Sequence, residues 1–428
     1  MNLRRLCLTA ALTITSLSGV WAQLTFVDGE LVLPLRDPTE PEFNPKLDTE
    51  DMAAVRTLSP NEAYPVIPAK TLERYGEYLG GLFQDYGLPG LAFAVVQGDS
   101  TTYQATFGYT DLKAGTRITE QTLFNIGPAT QGLTSLLAAT LDGEQFSYDK
   151  PAQELCPRFK MSDPAVSDQV TIRHLLSMTA GVPDYTDNIL DPAWARPEDV
   201  LAVIWQAPVV ASPGERFSTS QVSSAAGGYL LTKAARQTGS FYQDYVTLMQ
   251  ERVFDPIGMQ DTTFSFSEAE EGNQLATPHA FEKRGRYDPT KSWESEPNAL
   301  APAIGAKSSL RDMTRWLVTE LNQGVTPDGR RIAAPVSVRE RWQPARTEDS
   351  RNYGMGWTRR YYRGAEIIGT TGSYDRHSIA AAIFPAYRTA FVAMVNAESP
   401  DAQKLLNEIP LGVAEMLQSA EKKASTER

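Results

Sequence analysis

From Leu72 the apolar positions fall at Leu72, Tyr75, Leu79, Leu82, Phe83 and Tyr86. Steps of three and four residues put them on one face of a helix. The period then changes. Leu91 to Gln97 and Thr101 to Phe107 are short apolar-rich runs around Gly98-Asp99, which predicts a hairpin. Leu133, Leu136, Leu137 and Leu141 form the buried stripe of a helix that opens at Pro128. Proline suits a first helical turn, because its φ is already helical and its missing amide hydrogen would have no partner there. Towards the far end, His377 to Phe384 and Thr389 to Asn396 predict a second hairpin, joined by Pro385-Ala386-Tyr387-Arg388. A helix follows from about Pro400 and bends at Pro410. Strands at both ends with helices between them predict an α+β fold: an antiparallel β-sheet closed by both termini, with an inserted helical region. Residues 265 to 300 are polar, with Gly, Pro and charge clusters, and read as a long surface loop.

The ends of the chain have a different texture. Arg4 and Arg5 precede an apolar run from Leu6 to Gly19, and Val20-Trp21-Ala22 ends in a small residue. Residues 1–22 therefore read as a signal peptide cleaved before Gln23, which implies a secreted or periplasmic protein. Residues 23–68 are rich in Pro and acids and read as an extended N-terminal arm. Residues 69–418 form the domain, and 419–428 a charged C-terminal tail. No later stretch reaches the roughly 18 unbroken apolar residues of a membrane span, so no membrane association is expected once the signal is removed.

Charge and cysteine narrow the function classes. The formal net charge is −12 over 428 residues, which excludes nucleic acid as an expected partner, since phosphates require Lys and Arg. Of two cysteines only Cys156 survives signal removal, so no internal disulfide forms. The three histidines, His174, His279 and His377, are scattered singly, and no metal or other cofactor is expected.

Five segments carry a resemblance. They are Leu88-Pro89-Gly90-Leu91-Ala92, Val170 to Pro183 with its Arg173-His174-Leu175-Leu176 centre, Pro213-Gly214-Glu215-Arg216-Phe217-Ser218, Val253-Phe254-Asp255-Pro256-Ile257-Gly258-Met259, and Tyr353-Gly354-Met355-Gly356-Trp357. In this order, over roughly residues 70 to 417, they resemble the serine β-lactamase and penicillin-binding-protein superfamily, in particular class C β-lactamases and their esterase and peptidase relatives. The resemblance implies an acylating serine on a Ser-x-x-Lys helix, a Tyr-x-Asn loop, and a Lys-Thr-Gly or His-Thr-Gly strand.

Each motif is degenerate in this chain. Pro128 and Gln131 stand at the Ser and Lys positions, within Gly127-Pro128-Ala129-Thr130-Gln131. Thr219, Ser220 and Gln221 stand at Tyr-x-Asn, and Thr370-Thr371-Gly372 at the third motif. Pro has no nucleophile, Gln takes up no proton near neutral pH, and a Thr hydroxyl does not replace a phenol or a cation in proton transfer. Literal Ser-x-x-Lys matches at Ser147 to Lys150 and Ser419 to Lys422 open no buried helix.

The expected site is thus polar but uncharged at its centre, lined by Gln131, Thr219, Ser220, Gln221, Thr371 and Gly372. That suits a small-molecule, peptide or cell-wall-type ligand held through an amide, ester or sugar. Two other readings stand beside this pseudoenzyme. One is an active esterase, peptidase or acyltransferase with a rearranged site, such as Ser220 with His377 as base and Asp375 as orienter, or another hydroxyl such as Thr130 or Ser373. The other is a scaffold whose surface does the work. The simpler expectations for the remaining groups are a surface His377 at a strand start, a structural His174, a solvated Lys307 and a partnerless His279 in the polar loop.

Overall fold

The computed structural model describes residues 64–143, 146–183, 196–236, 239–271, 274–293, 298–345 and 352–426, with the backbone of two short paired strands, Thr25–Val27 and Glu30–Val32. The signal peptide and most of the arm lie outside the described residues.

A seven-stranded antiparallel sheet organises the chain. Its spatial order is Thr358–Tyr362, Ala365–Tyr374, His377–Phe384, Thr389–Val395, Gly90–Gln97, Ser100–Asp111 and Thr116–Arg117. Both predicted hairpins are present, and they meet where Thr389–Val395 pairs with Gly90–Gln97, from Thr389 opposite Gln97 to Val395 opposite Leu91. The two ends of the chain thus join at mid-sheet. Among the described residues the sheet is open, with Thr358–Tyr362 and Thr116–Arg117 at its edges, which corrects the expected closure.

Strand alternation sorts side chains into two cores. In the fully buried strand Gly90–Gln97, Leu91, Phe93 and Val95 face the terminal helices, while Ala92, Ala94 and Val96 face the inserted helical region. The first layer is built by the helix Ala69–Tyr86, through Leu72, Tyr75 and Leu79, and by the helix Pro400–Thr426, through Leu405, Leu406 and Ile409. The latter helix runs through Pro410 and includes most of the expected tail. Ala69–Tyr86 stops at Gly87, whose φ of +60° suits a residue without Cβ.

The second layer holds the helix Thr130–Leu141, all twelve of whose residues are buried. Packed around it are the helices Gln221–Ala235, Phe241–Met249 and Leu310–Leu321. Beneath it Arg341 and Glu320 form a fully buried ion pair, and Arg341 Nη1 also donates to the Gly132 carbonyl (3.2 Å) and to Ser135 Oγ (3.1 Å). Trp316 stacks on Trp357 at 5.1 Å between ring centroids, and a Cβ at Gly132 would lie 2.8 Å from the Trp316 ring.

The segment expected to be one long surface loop is partly ordered. It contains a helix, Phe266–Glu271, and a hairpin, His279–Lys283 with Arg286–Pro289. Its polar composition hid a strand whose first residue, His279, is fully buried.

Candidate functional site

The chain enters the site through a short strand, Leu123–Asn125, which pairs with Lys307–Ser309. Gly127 follows at φ +44°, and Gly127–Ala129 forms a single 3-10 turn ahead of the α-helix Thr130–Leu141. Pro128 sits in that turn, as its fixed φ favours. Its ring packs against Gly372 on the strand Ala365–Tyr374: a Cβ on Gly372 would lie 2.5 Å from Pro128 Cγ. Pro128 keeps partial exposure, so this contact reaches the surface. Alternation puts Thr370, which is buried, on the Gly372 face, and turns Thr371, which is exposed, to the other face.

Gln131 lies one helical turn inward and is almost completely buried. Its Nε2 donates to Gln221 Oε1 at 2.7 Å, and its Oε1 accepts a hydrogen bond from the Tyr353 hydroxyl. Burial pushes the Tyr353 phenol well above its usual range, which keeps it a donor. Tyr353 reaches Gln131 because the two glycines after it admit backbone closely. A Cβ on Gly356 (φ +84°) would fall 2.6 Å from the Gln131 carbonyl carbon. Phe217 packs on Tyr353 at 5.4 Å between ring centroids.

The structure thus unites Gln131 with Gln221, and Pro128 with Gly372. Thr219 is exposed. Ser220 is fully buried: its Oγ accepts from the Ser223 amide (3.2 Å) as the N-cap of Gln221–Ala235, and its own amide faces Met178 Sδ at 3.4 Å. It supplies a helix cap rather than a wall of the site. Tyr353 was not singled out in the sequence as a site residue. The available signal was a phenol directly before Gly-x-Gly, a pattern that lets a side chain and its backbone approach another element closely.

The rearranged triad is not assembled. The His377 ring is buried, with Nδ1 3.1 Å from the Asp375 carbonyl and 3.4 Å from Asn125 Nδ2, and Nε2 3.0 Å from the Ala276 carbonyl. Burial pushes its pKa down to about 4, and the two facing carbonyls oppose that only in part. The Asp375 carboxylate accepts from Ser292 Oγ (2.5 Å), the Trp293 amide (3.1 Å) and Asn125 Nδ2 (3.2 Å). Burial raises its pKa and these donors offset part of the rise. Hydrogen bonds join none of the three side chains of Ser220, His377 and Asp375 to another. The expectation of a surface His377 is corrected as well.

The other candidates are occupied elsewhere. His174 completes a capping box with Thr171 at the helix Ile172–Leu176, the structural role expected of it. His279 has partners: Nε2 accepts from the Leu112 amide (3.3 Å) and Nδ1 faces the Asn396 carbonyl (3.2 Å). Lys307 is fully buried, not solvated, with Nζ 3.1 Å from the Gly305 carbonyl and 3.3 Å from that of Phe264. Thr130 Oγ1 accepts from the Ala306 amide, and Ser373 and Ser378 share a hydroxyl contact. Among the described residues no cluster of His, Cys, Asp and Glu could hold a metal ion, and no helix is long and apolar enough to cross a membrane.

Comparison with known proteins agrees with this frame. The chain is 25% identical over 339 residues to the Unguisins hydrolase ungD of Aspergillus violaceofuscus, covering 72% of this chain but 58% of that protein. It is 26% identical to penicillin-binding protein 4 of Amycolatopsis lactamdurans, over 69% of this chain and 78% of that one. It is 28% identical to a β-lactamase of Escherichia coli, over 56% of this chain and 58% of that one. Among solved structures, the octameric penicillin-binding protein homologue from Pyrococcus abyssi superposes with a TM-score of 0.64 at 19% identity, covering 80% of this chain and 77% of that one. The crystal structure of SurE superposes with a TM-score of 0.65 at 20% identity, covering 81% and 76%. The family model described as Beta-lactamase matches residues 69–412, and the chain belongs to the β-lactamase family.

Proposed function

We propose that this chain is a non-acylating member of its family that acts outside the cytoplasm and binds a neutral, hydrogen-bonding ligand over Pro128. The observation that carries the reading is the Pro128–Gly372 contact. The motif order that aligns Pro128 with the family's nucleophile would make this partly exposed hydrocarbon ring its replacement. Beside it the Gln221 side-chain amide has no acceptor among the described residues, and Gln131 Nε2 spends one N–H on Gln221. These donors suit the carbonyl of an amide or ester, or a sugar hydroxyl, of a small molecule, peptide or cell-wall fragment. A buried capping serine and a histidine held by backbone carbonyls give no support to hydrolysis through Ser220.

The test is covalent. Incubation with benzylpenicillin or a fluorophosphonate probe, followed by intact mass, should leave the wild-type mass unchanged. Stoichiometric labelling that Ser220→Ala abolishes would overturn the proposal in favour of a rearranged hydrolase. Labelling that survives Ser220→Ala would overturn it in favour of another nucleophile. Export is tested separately: protein from its native host should begin near Gln23.

A further inference from the structure

The helix Ile172–Leu176 ends in a left-handed turn. The Met178 amide donates to the Leu175 carbonyl (3.2 Å) and the Thr179 amide to the His174 carbonyl (2.8 Å), with Met178 at φ +58°. Glycine is the usual occupant of this place after a helix, because a Cβ is strained there. What the methionine adds is two acceptors. Its carbonyl accepts from the Ser218 amide at 3.0 Å, and its sulfur accepts from the Ser220 amide at 3.4 Å. Ser220 is the fully buried N-cap of Gln221–Ala235, so its own N–H lies outside the helical ladder. A buried amide needs an acceptor, and the one that serves Ser220 is a thioether, which accepts weakly. One residue thus holds both ends of Ser218-Thr219-Ser220, and the next residue, Gln221, carries the hydrogen bond to Gln131. The eight methionines among the described residues are all buried, and Met178, at 4% exposed, is the least so. The segment it holds lies at the surface, with Ser218 half-buried and Thr219 exposed.

We propose that Met178 is an oxidative modification site that controls the Gln131–Gln221 pair, with a peroxide as the oxidant. The thioether sulfur attacks a peroxide oxygen. An S–O bond forms as the O–O bond breaks, sulfur gives up two electrons, and hydrogen peroxide leaves as water. The new oxygen is a stronger acceptor than the sulfur and stands towards the Ser220 N–H. An S–O bond in series with an N–H···O hydrogen bond of about 2.9 Å does not fit within the present 3.4 Å. Met178 and Ser220 therefore move apart. Because Ser220 caps the helix that Gln221 begins, the same displacement parts Gln221 Oε1 from Gln131 Nε2. The reduced chain presents a joined amide pair, and the oxidised chain two separate amides. Two thiols reverse the step: they become a disulfide, and the sulfoxide oxygen leaves as water. This inference rests on the reading of that pair as part of a ligand site, and it adds a control on the site.

The experiment treats the full mature chain with millimolar hydrogen peroxide and follows it by intact mass, peptide mapping and NMR of the glutamine side-chain amides. Gln131→Asn and Gln221→Asn assign the two signals. Met178 should gain one oxygen about five-fold or more faster than any of the other seven described methionines. The Gln131 and Gln221 signals should move in step with Met178 oxidation and return after methionine sulfoxide reductases of both epimer types act with dithiothreitol. They should stay in place in peroxide-treated Met178→Leu, which keeps the side-chain bulk and lacks the sulfur. Oxidation of another described methionine before Met178, no oxidation of Met178 in the folded chain, or glutamine signals that ignore its oxidation would each overturn the proposal. So would the same movement in Met178→Leu. The order of oxidation is read on the wild-type chain and does not depend on the folding of Met178→Leu, which thermal melting checks. Failure here is distinct from failure of the pseudoenzyme reading. That reading turns on whether a probe acylates the chain, whereas oxidation of Met178 is read with no probe or ligand present.

Discussion

Gln131 Nε2 and Gln221 Oε1 stand 2.7 Å apart, joining the start of one buried helix to the start of another. With the Tyr353 hydroxyl on the other end of Gln131, they make a neutral chain of three side chains. Such a chain has a direction but no titrating member near neutral pH, so it can hold a ligand in register without passing it a proton. Gln131→Ala removes the partner of a phenol and of an amide together. The variant should lose about 1–3 kcal/mol of stability in urea unfolding, the cost of stranding buried polar groups. Gln131→Glu should recover part of that loss at low pH.

The Pro128–Gly372 contact should behave as a coupled pair. Gly372→Ala places a methyl into the Pro128 ring, 2.5 Å from Cγ. It should cost about 1–3 kcal/mol by overpacking. In a Pro128→Ala background the ring atoms at 2.5 and 2.7 Å are gone and only Cβ, at 2.9 Å, remains, so part of the cost should disappear. A double-mutant cycle by urea unfolding reads the coupling, expected at about 1 kcal/mol or more. Strictly additive effects would mean that the ring and the strand are not in contact.

Arg341 and Glu320 give a sharper test of the floor of the site. Both are fully buried, and burial raises the Glu320 pKa despite Arg341 beside it. Arg341→Met should cost about 3–5 kcal/mol, because it leaves an uncompensated buried carboxylate and takes hydrogen bonds from Gly132 and Ser135. Adding Glu320→Leu should restore much of the loss. If the double variant is no more stable than Arg341→Met, packing rather than the stranded charge is the cause.

His377 makes a pH prediction with a definite sign. Its folded pKa is depressed to about 4, so between there and the unfolded value of about 6.5 the unfolded chain binds more protons. Stability from this group is complete above about 6.5 and is lost progressively as pH falls towards 4. His279, also depressed by burial, adds with the same sign, whereas Asp375, raised by burial, has the opposite sign. The decisive quantity is therefore the difference between wild type and His377→Gln. Urea unfolding at pH 7.5 and 5.0 should show wild type losing more stability than the variant, by on the order of 1–2 kcal/mol. Parallel pH profiles would show that the imidazole titrates alike in the folded and the unfolded chain.

Reconstruction tests the positional reading itself. Pro128→Ser with Gln131→Lys alone should give little turnover, because Thr219 and Thr370 still lack proton-transfer groups. Adding Thr219→Tyr and Thr370→His should produce slow p-nitrophenyl acetate cleavage or a trapped acyl-enzyme, seen by intact mass. The control carries Pro128→Ala in place of Pro128→Ser. A folded quadruple variant with no hydroxyl-dependent acylation would refute the assignment of these four positions.

What the sequence made legible follows from what fixes it. The helix Ala69–Tyr86 and the two hairpins are set by local period and turn residues, so Leu72, Tyr75 and Leu79 and the alternation in Gly90–Gln97 could be read directly. Motif order singled out Gln131 and Gln221, and the fold brings these two side chains together. Burial of polar groups could not be read. His279 sits in a polar stretch, Lys307 and His377 stand at the ends of apolar runs, and only the packing of distant strands removes the three from water. Tyr353 escaped for a related reason: its partner, Gln131, is brought to it by the fold and not by the sequence around it.

The pairing of Gly90–Gln97 with Thr389–Val395 has a consequence for how the molecule is made. Its partners are separated by roughly 300 residues, so one flank of a strand that is apolar from Leu91 to Val96 stays bare until the segment from Thr389 has emerged. Translation arrested before residue 389 would leave that flank as a template for another nascent chain. A helper that masks extended apolar backbone during synthesis should therefore govern the yield of this protein more than any single contact in its finished form.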